Sequence, residues 1–288
     1  MIMSKTSEAQ REMAGMQIME RLACPICSGH LSNCEKGLSC DVCARIYPVK
    51  DGVMDLRPPK ANKKLEAHDW SEHWDGSKQE TLAQRFFSMY RKAVFARTVR
   101  YFTSRYFPSS GVLVEAGCGT AETSMLIDKR DGNRTLVAMD LIPQVLTQSH
   151  PIMDIHVSGD IFQMPFQEGS VGGIWNVGVM EHFTHPQIDA ILTDFHRVLQ
   201  PGGRVILLWP AIFSVPQRIL RVLEWFVHRT SSDKTFRFHP PEISQVRSIR
   251  HGREILERNG FKTVTIDPGL YSLMAFETLV GEKAPPTV

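Results

Sequence analysis

The sequence predicts an α/β protein: a doubly wound, mostly parallel sheet of seven strands, with a small cysteine-rich module in front of it. Two observations carry this reading. From residue 111 onward, short apolar runs alternate with helical stretches, the pattern of a parallel sheet covered on both faces. Ahead of them, four of the six cysteines stand in two C-x-x-C pairs.

The bulk properties bound the answer. The chain has 288 residues, 42% of them apolar, enough for one or two domains with a buried core. Its 33 basic and 31 acidic residues leave a net charge of +2. A chain that lives on nucleic acid carries a more basic balance, so that partner is the less favoured one. The start, Met1 to Leu22, has no unbroken apolar core and no small-residue cleavage site, and does not read as a signal peptide. The longest apolar run, Val205 to Phe213, is broken by Pro210, and nothing reaches the roughly 18 apolar residues of a spanning helix. A cytoplasmic protein without a transmembrane segment is expected.

Residues 1–20 read as a polar, methionine-rich tail. Residues 21–58 form the cysteine module, closing on Ile46-Tyr47-Pro48-Val49 and the turn Lys50-Asp51-Gly52. Residues 59–107 are linker and leading helix, with Leu82, Phe86, Tyr90 and Val94 at helical spacing. Residues 108–288 make the larger domain. Its expected strands are Val112–Ala116, Leu136–Asp140, Ile155–Ser158, Val171–Val177, Arg204–Leu208, Thr263–Pro268 and Ala275–Val280. The clearest helices between them are Glu181–Leu199 and Ile249–Asn259.

The first strand runs into Glu115-Ala116-Gly117-Cys118-Gly119-Thr120-Ala121. Small residues here let the chain turn tightly, and let a ligand lie against the backbone at the start of the next helix. Asp140 ends the second strand, where an acid can take the hydroxyls of a ribose. Asp160 follows the third strand in Ser158-Gly159-Asp160-Ile161, the fourth ends on Asn176 and Val177, and Pro201-Gly202-Gly203 opens the fifth. In order and spacing these segments resemble the class I S-adenosylmethionine-dependent methyltransferases, over roughly residues 108–288. The resemblance implies a Rossmann-like domain that binds S-adenosylmethionine. It would place Glu115, Gly117 and Gly119 on the methionine half, Asp140 on the ribose, Asp160 with Ile161 on the adenine, and Asn176 and Val177 beneath the sulfonium. Cys118 reads as a packing thiol.

In the front module, Cys24 and Cys27 are separated from Cys40 and Cys43 by twelve residues. Two C-x-x-C turns supply four converging sulfurs, which suits tetrahedral zinc and leaves no open position, so the metal would be structural. The segment Leu22 to Leu56 resembles the zinc ribbons found ahead of ribosomal-RNA guanine methyltransferases, and small stand-alone ribbons that partner methyltransferases. The ribbon by itself leaves the substrate open.

Methyl transfer needs in-line positioning, and a base where the acceptor proton must leave. Asn176-Val177-Gly178-Val179 stands where an Asn/Asp-Pro-Pro-Tyr/Phe signature would mark amine or amide methylation, which points to oxygen or carbon instead. His182, beside Glu181, is the candidate base; His73, His185, His196 and His239 have weaker positions. A lid insertion is expected at 211–245, with Arg218, Arg221, Arg229, Lys234 and Arg237 around an apolar helix at Ile219–Arg229. The expected acceptor is a small molecule or a lipid- or sugar-linked group; ribosomal or transfer RNA is the alternative.

Overall fold

The structure is a computed structural model that describes residues 15, 17–59, 82–210, 225, 229 and 242–285. Most of the expected tail 1–20, the linker from residue 60, and the lid insertion 211–245 up to residue 241, apart from residues 225 and 229, lie outside the described residues, as do His73 and His239.

The cysteine module forms a three-stranded antiparallel sheet from β1 (Leu31–Cys34), β2 (Gly37–Cys40) and β3 (Ile46–Tyr47). A hairpin of β4 (Val49–Lys50) and β5 (Val53–Asp55) then leaves that sheet and joins the larger one. The larger sheet takes in β6 (Gly111–Ala116), β7 (Arg134–Asp140), β8 (Ile155–Ser158), β9 (Val171–Val177), β10 (Leu199–Pro210), β11 (Phe261–Asp267) and β12 (Phe276–Lys283). Its order is β11-β12-β10-β9-β6-β7-β8-β5-β4, parallel except at β12 and β4. Seven strands were expected and nine are present among the described residues, because β5 pairs parallel with β8 in the register Val53 with His156 to Asp55 with Ser158. Without that hairpin β8 would be an edge strand with unpaired backbone groups.

A second anchor holds the module: Ala23 donates its N–H to Pro165 O at 3.0 Å and Gln167 donates to Arg21 O at 2.7 Å. Leu22, Leu38, Tyr47 and Leu56 therefore share one buried cluster with Val137, Val157 and Phe166 of the larger domain.

Helix α1 (Leu82–Tyr106) covers one sheet face, with Val99 and Phe102 packed against Leu113, Leu136 and Trp175. Helix α3 (His185–Val198) covers the other through Ile188, Ile191 and Phe195, near Ile174 and Leu207. Between them in sequence lies α2, a single turn at Pro143–Leu146. Helix α4 (Ile249–Arg258) precedes β11. Every residue of β7 is buried, as a central parallel strand demands. Its one cation, Arg134, is satisfied by carbonyls, donating to Pro108 O at 2.8 Å and Asp128 O at 2.9 Å.

Two helices depart from expectation. The chain after the glycine turn forms only a 3-10 turn, Glu122–Ser124, in place of a regular helix. Similarly, Glu181 does not begin a helix: Met180–His182 is a 3-10 turn, and α3 starts at His185. Thr184 and Gln187 form a capping box there, with Pro at the helix start, and these local signals override the apolar periodicity upstream. Among the described residues no helix is long and apolar enough to cross a membrane.

Candidate active site

The order of the sheet reverses at β6, which has β7 on one side and β9 on the other. Open α/β sheets bind ligands in the crevice beyond the strand ends at such a point. The residues singled out from the sequence gather there.

Gly117 turns the chain out of β6 with φ +72°, and a Cβ added to it would lie 2.8 Å from Val179 Cγ2. Gly119 also holds a positive φ, +51°. The turn is fixed from β7: Gly117 and Cys118 donate their N–H groups to Met139 O at 2.8 and 3.1 Å. Cys118 is a buried thiol packed in the core beside Ala121, as expected of a packing thiol.

Glu115 is buried, and both carboxyl oxygens accept hydroxyls, from Ser124 at 2.8 Å and Thr123 at 3.3 Å. The fully buried Trp175 completes the network, donating its indole N–H to Ser124 Oγ at 3.0 Å. Burial pushes the Glu115 carboxyl up to about 8, against the opposing pull of those hydrogen bonds. Residue spacing carries no sign of this Trp175–Ser124–Glu115 chain.

Asp140 sits at the end of β7. One oxygen accepts the Gly119 N–H at 2.9 Å and the other accepts the Ile142 N–H at 3.0 Å. Burial raises its pKa, and the backbone donors oppose the rise. A carboxylate has about four acceptor directions, and these backbone donors, with a further contribution from the Leu141 N–H, do not fill them all. The Gly159 N–H donates to Asp140 O at 3.0 Å, which brings the third loop against the second. Asp160, also buried, accepts the Phe162 N–H at 2.9 Å, and Ile161 packs partly buried against the core.

At the end of β9 lie Asn176, fully buried, and Val177, followed by Gly178 at φ +68°. Neither polar atom of the Asn176 side chain has a partner among the described residues. His182 follows on the 3-10 turn, with Nε2 3.9 Å from Glu181 Oε1. The described end of the expected lid segment clamps this turn: Ile243 and Ser244 donate to Glu181 O at 2.6 and 3.0 Å. His185 and His196 are engaged elsewhere, edge-on to His251 and Phe261.

Glu277 escaped the sequence reading. It is a buried acid opposite Trp209 at the start of β12, and burial with the nearby Asp267 carboxylate pushes it up to about 7.

In the ribbon, the sulfurs of Cys24, Cys27, Cys40 and Cys43 lie within 4.8 Å of one another. Two of the separations are 3.7 Å, between Cys24 and Cys43, and 3.4 Å, between Cys27 and Cys40. A tetrahedron with Zn–S bonds of about 2.3 Å has edges of about 3.8 Å, so the cluster fits zinc with all four positions filled by protein. The Tyr47 hydroxyl lies 3.1 Å from Cys24 Sγ. Burial raises the Cys24 thiol, but hydrogen bonds from Tyr47 and from the backbone outweigh it and leave the pKa at about 6.

Residues 114–207 match a family described as a methyltransferase domain, and residues 18–52 match Trm112p-like proteins. The chain carries a methyltransferase domain behind a Trm112p-like ribbon. Its relatives include a malonyl-[acyl-carrier protein] O-methyltransferase of Herminiimonas arsenicoxydans, 32% identical over 99 residues, which are 34% of this chain and 36% of that protein. The enzyme of the same description from Dechloromonas aromatica (strain RCB) is 29% identical over 163 residues, 53% of this chain and 58% of that one. The chain thus spans less than two thirds of the length of these relatives. Magnesium protoporphyrin IX methyltransferase from Synechocystis PCC 6803, solved with bound SAH, superposes with a TM-score of 0.51 at 13% identity. That match covers 78% of this chain and 96% of that one, and shows that the methyltransferase domain shares its fold.

Proposed function

We propose that the chain transfers a methyl group from S-adenosylmethionine to oxygen or carbon of a small-molecule or lipid- or sugar-linked acceptor. The observation that carries this reading is the closure of the glycine turn by Asp140, at the point where the sheet order reverses. Glu115 and the turn from Gly117 to Gly119 hold the methionine half, Asp140 the ribose, and Asp160 with Ile161 the adenine. The chain beyond the turn is a 3-10 turn and not a longer helix, so the Glu115 carboxyl meets the methionine ammonium group without the positive end of a long helix beside it.

Asn176 and Val177 form the floor beneath the sulfonium. A buried amide with two unpartnered atoms costs about 1–3 kcal/mol, and a bound ligand or water relieves that cost. The cofactor supplies an electrophilic methyl group when bound. His182 takes the acceptor proton, and its turn is held at the crevice rim by Ile243 and Ser244. The two relatives named for O-methylation support oxygen of a small-molecule acceptor over the RNA alternative, for which the ribbon is the main support.

The test is release of S-adenosylhomocysteine with a panel of carboxyl- and hydroxyl-bearing thioesters, lipids and glycans, set beside ribosomal and transfer RNA. Turnover on a member of the small-molecule panel is expected, reduced by about 10²-fold or more in His182→Ala. Methyl incorporation into RNA alone would reverse the choice of acceptor.

A further inference from the structure

An exposed apolar loop and a groove of arginines meet on the α1 side of the molecule, and neither belongs to the site described above. The loop, Gly269 to Ala275, joins β11 to β12. In it Leu270 is 70% exposed and Leu273 61%, with Tyr271 and Met274 exposed beside them.

This exposure is built in. Asp267 accepts the Gly269 N–H at 3.0 Å, the buried Ser272 hydroxyl accepts the Phe276 N–H at 2.9 Å, and Met274 donates to Gly269 O at 2.7 Å. Leu273 and Met274 are both held at left-handed φ, +52° and +62°, which residues with a Cβ rarely adopt. A polar network and a strained backbone therefore hold four apolar side chains in water. Scattered single residues of this kind are ordinary on a surface, but a contiguous set marks an interaction site.

The groove is lined by Arg97, Arg100, Tyr101, Arg105 and Arg130, with Asp128 the one acid among its described residues. Arg130 is partly engaged, with Ser104 O at 2.9 Å and Asp128 at 3.4 Å. Tyr101 joins the groove to the loop. Its ring stacks on Tyr271 at 4.0 Å, the two hydroxyls are 2.7 Å apart, and Thr98 Oγ1 donates to Tyr271 O at 2.9 Å.

We propose that this face docks on an anionic phospholipid bilayer, with Leu270, Leu273 and Met274 entering the boundary between headgroups and acyl chains and the arginines meeting headgroup phosphates. The two features call for different surroundings, and one bilayer surface supplies both. Nucleic acid would engage the arginines and the tyrosine but leave the aliphatic side chains in water. The loop leads directly into Phe276, whose ring comes within 3.7 Å of the position a Cβ on Gly178 would take, so docking sets the crevice close to the bilayer. The inference does not depend on the methyl-transfer reading.

Flotation of the zinc-loaded protein tests it, using phosphatidylcholine vesicles with and without phosphatidylglycerol. Recovery with the anionic vesicles and little with the neutral ones is expected, falling as salt rises. Leu270→Ser/Leu273→Asn, in which asparagine suits the left-handed backbone, and Arg100→Glu/Arg105→Glu should each lower the bound fraction by about tenfold. Arg250→Glu/Lys262→Glu, exposed charges outside the groove, should leave it unchanged. Circular dichroism and thermal melting confirm that each variant is folded. Equal recovery with both vesicle types, no recovery with either, or an equal loss in the Arg250/Lys262 variant overturns the proposal. So does RNA binding that depends on Arg100 and Arg105 while vesicles stay unbound.

Discussion

Asp140 Oδ2 accepts the backbone N–H of Gly119 at 2.9 Å, so the acid proposed for the ribose also holds the turn proposed for the methionine half. Two proposed cofactor contacts thus depend on one side chain. The energetic consequence is a coupling: losing the carboxylate loosens the loop as well as removing a ligand contact.

Asp140→Ala should weaken S-adenosylhomocysteine binding by about 1–3 kcal/mol through unpaired ribose hydroxyls alone. Asp140→Asn keeps one acceptor oxygen and should lie between the variant and wild type. Isothermal calorimetry decides this, and unchanged affinity in Asp140→Ala would remove the residue from the site.

Glu115 carries a pH signature. Its pKa rises from 4.5 to about 8 on folding, so between those values the folded state binds more protons than the unfolded state. Stability of the ligand-free protein should therefore fall as pH rises through that window, and level off above it. Glu277, raised from 4.5 to about 7, acts in the same direction. Urea unfolding at pH values from about 5 to about 8 should show this slope, and Glu115→Gln should flatten it. Stability that climbs with pH in both proteins would contradict the assignment.

Gly117→Ala tests the turn without touching a charge. Alanine at φ +72° is strained, and its Cβ would stand 2.8 Å from Val179 Cγ2. A loss of about 1–3 kcal/mol is expected, from strain together with the shift of Val179, with a lower Tm and weaker cofactor binding. A fully stable variant with native affinity would show that the turn relaxes freely.

Zinc should be present at one ion per chain by elemental analysis, and absent from Cys24→Ser/Cys27→Ser. Because β5 pairs with β8 and the ribbon shares its buried cluster with the larger domain, metal loss should lower the Tm of the whole chain. A separate, unchanged transition for the methyltransferase domain would show that the two parts are independent.

Much of this was legible in the sequence because parallel strands and their ligand loops are local signals. The glycine turn, Asp140 and Asp160 each follow a short apolar run, and the structure brings their loops together. What was hidden is non-local. Val49–Lys50 and Val53–Asp55 are too short to show a period, and their place in the sheet depends on pairing with β8 far along the chain. The helix expected after Gly119 was not formed, and Ser124 hydrogen bonds instead to Glu115 and Trp175. Glu277 reads as an ordinary strand acid until Trp209 is placed opposite it.

The most direct test of the central claim is calorimetric titration of zinc-loaded wild-type protein with S-adenosylhomocysteine, set beside the same titration with NADH. One S-adenosylhomocysteine per chain is expected, with proton release near neutral pH as a bound ammonium group drives the raised Glu115 carboxyl to ionise. NADH should give no heat of binding. A folded, zinc-loaded protein that ignores S-adenosylhomocysteine, or that prefers NADH, would contradict the account.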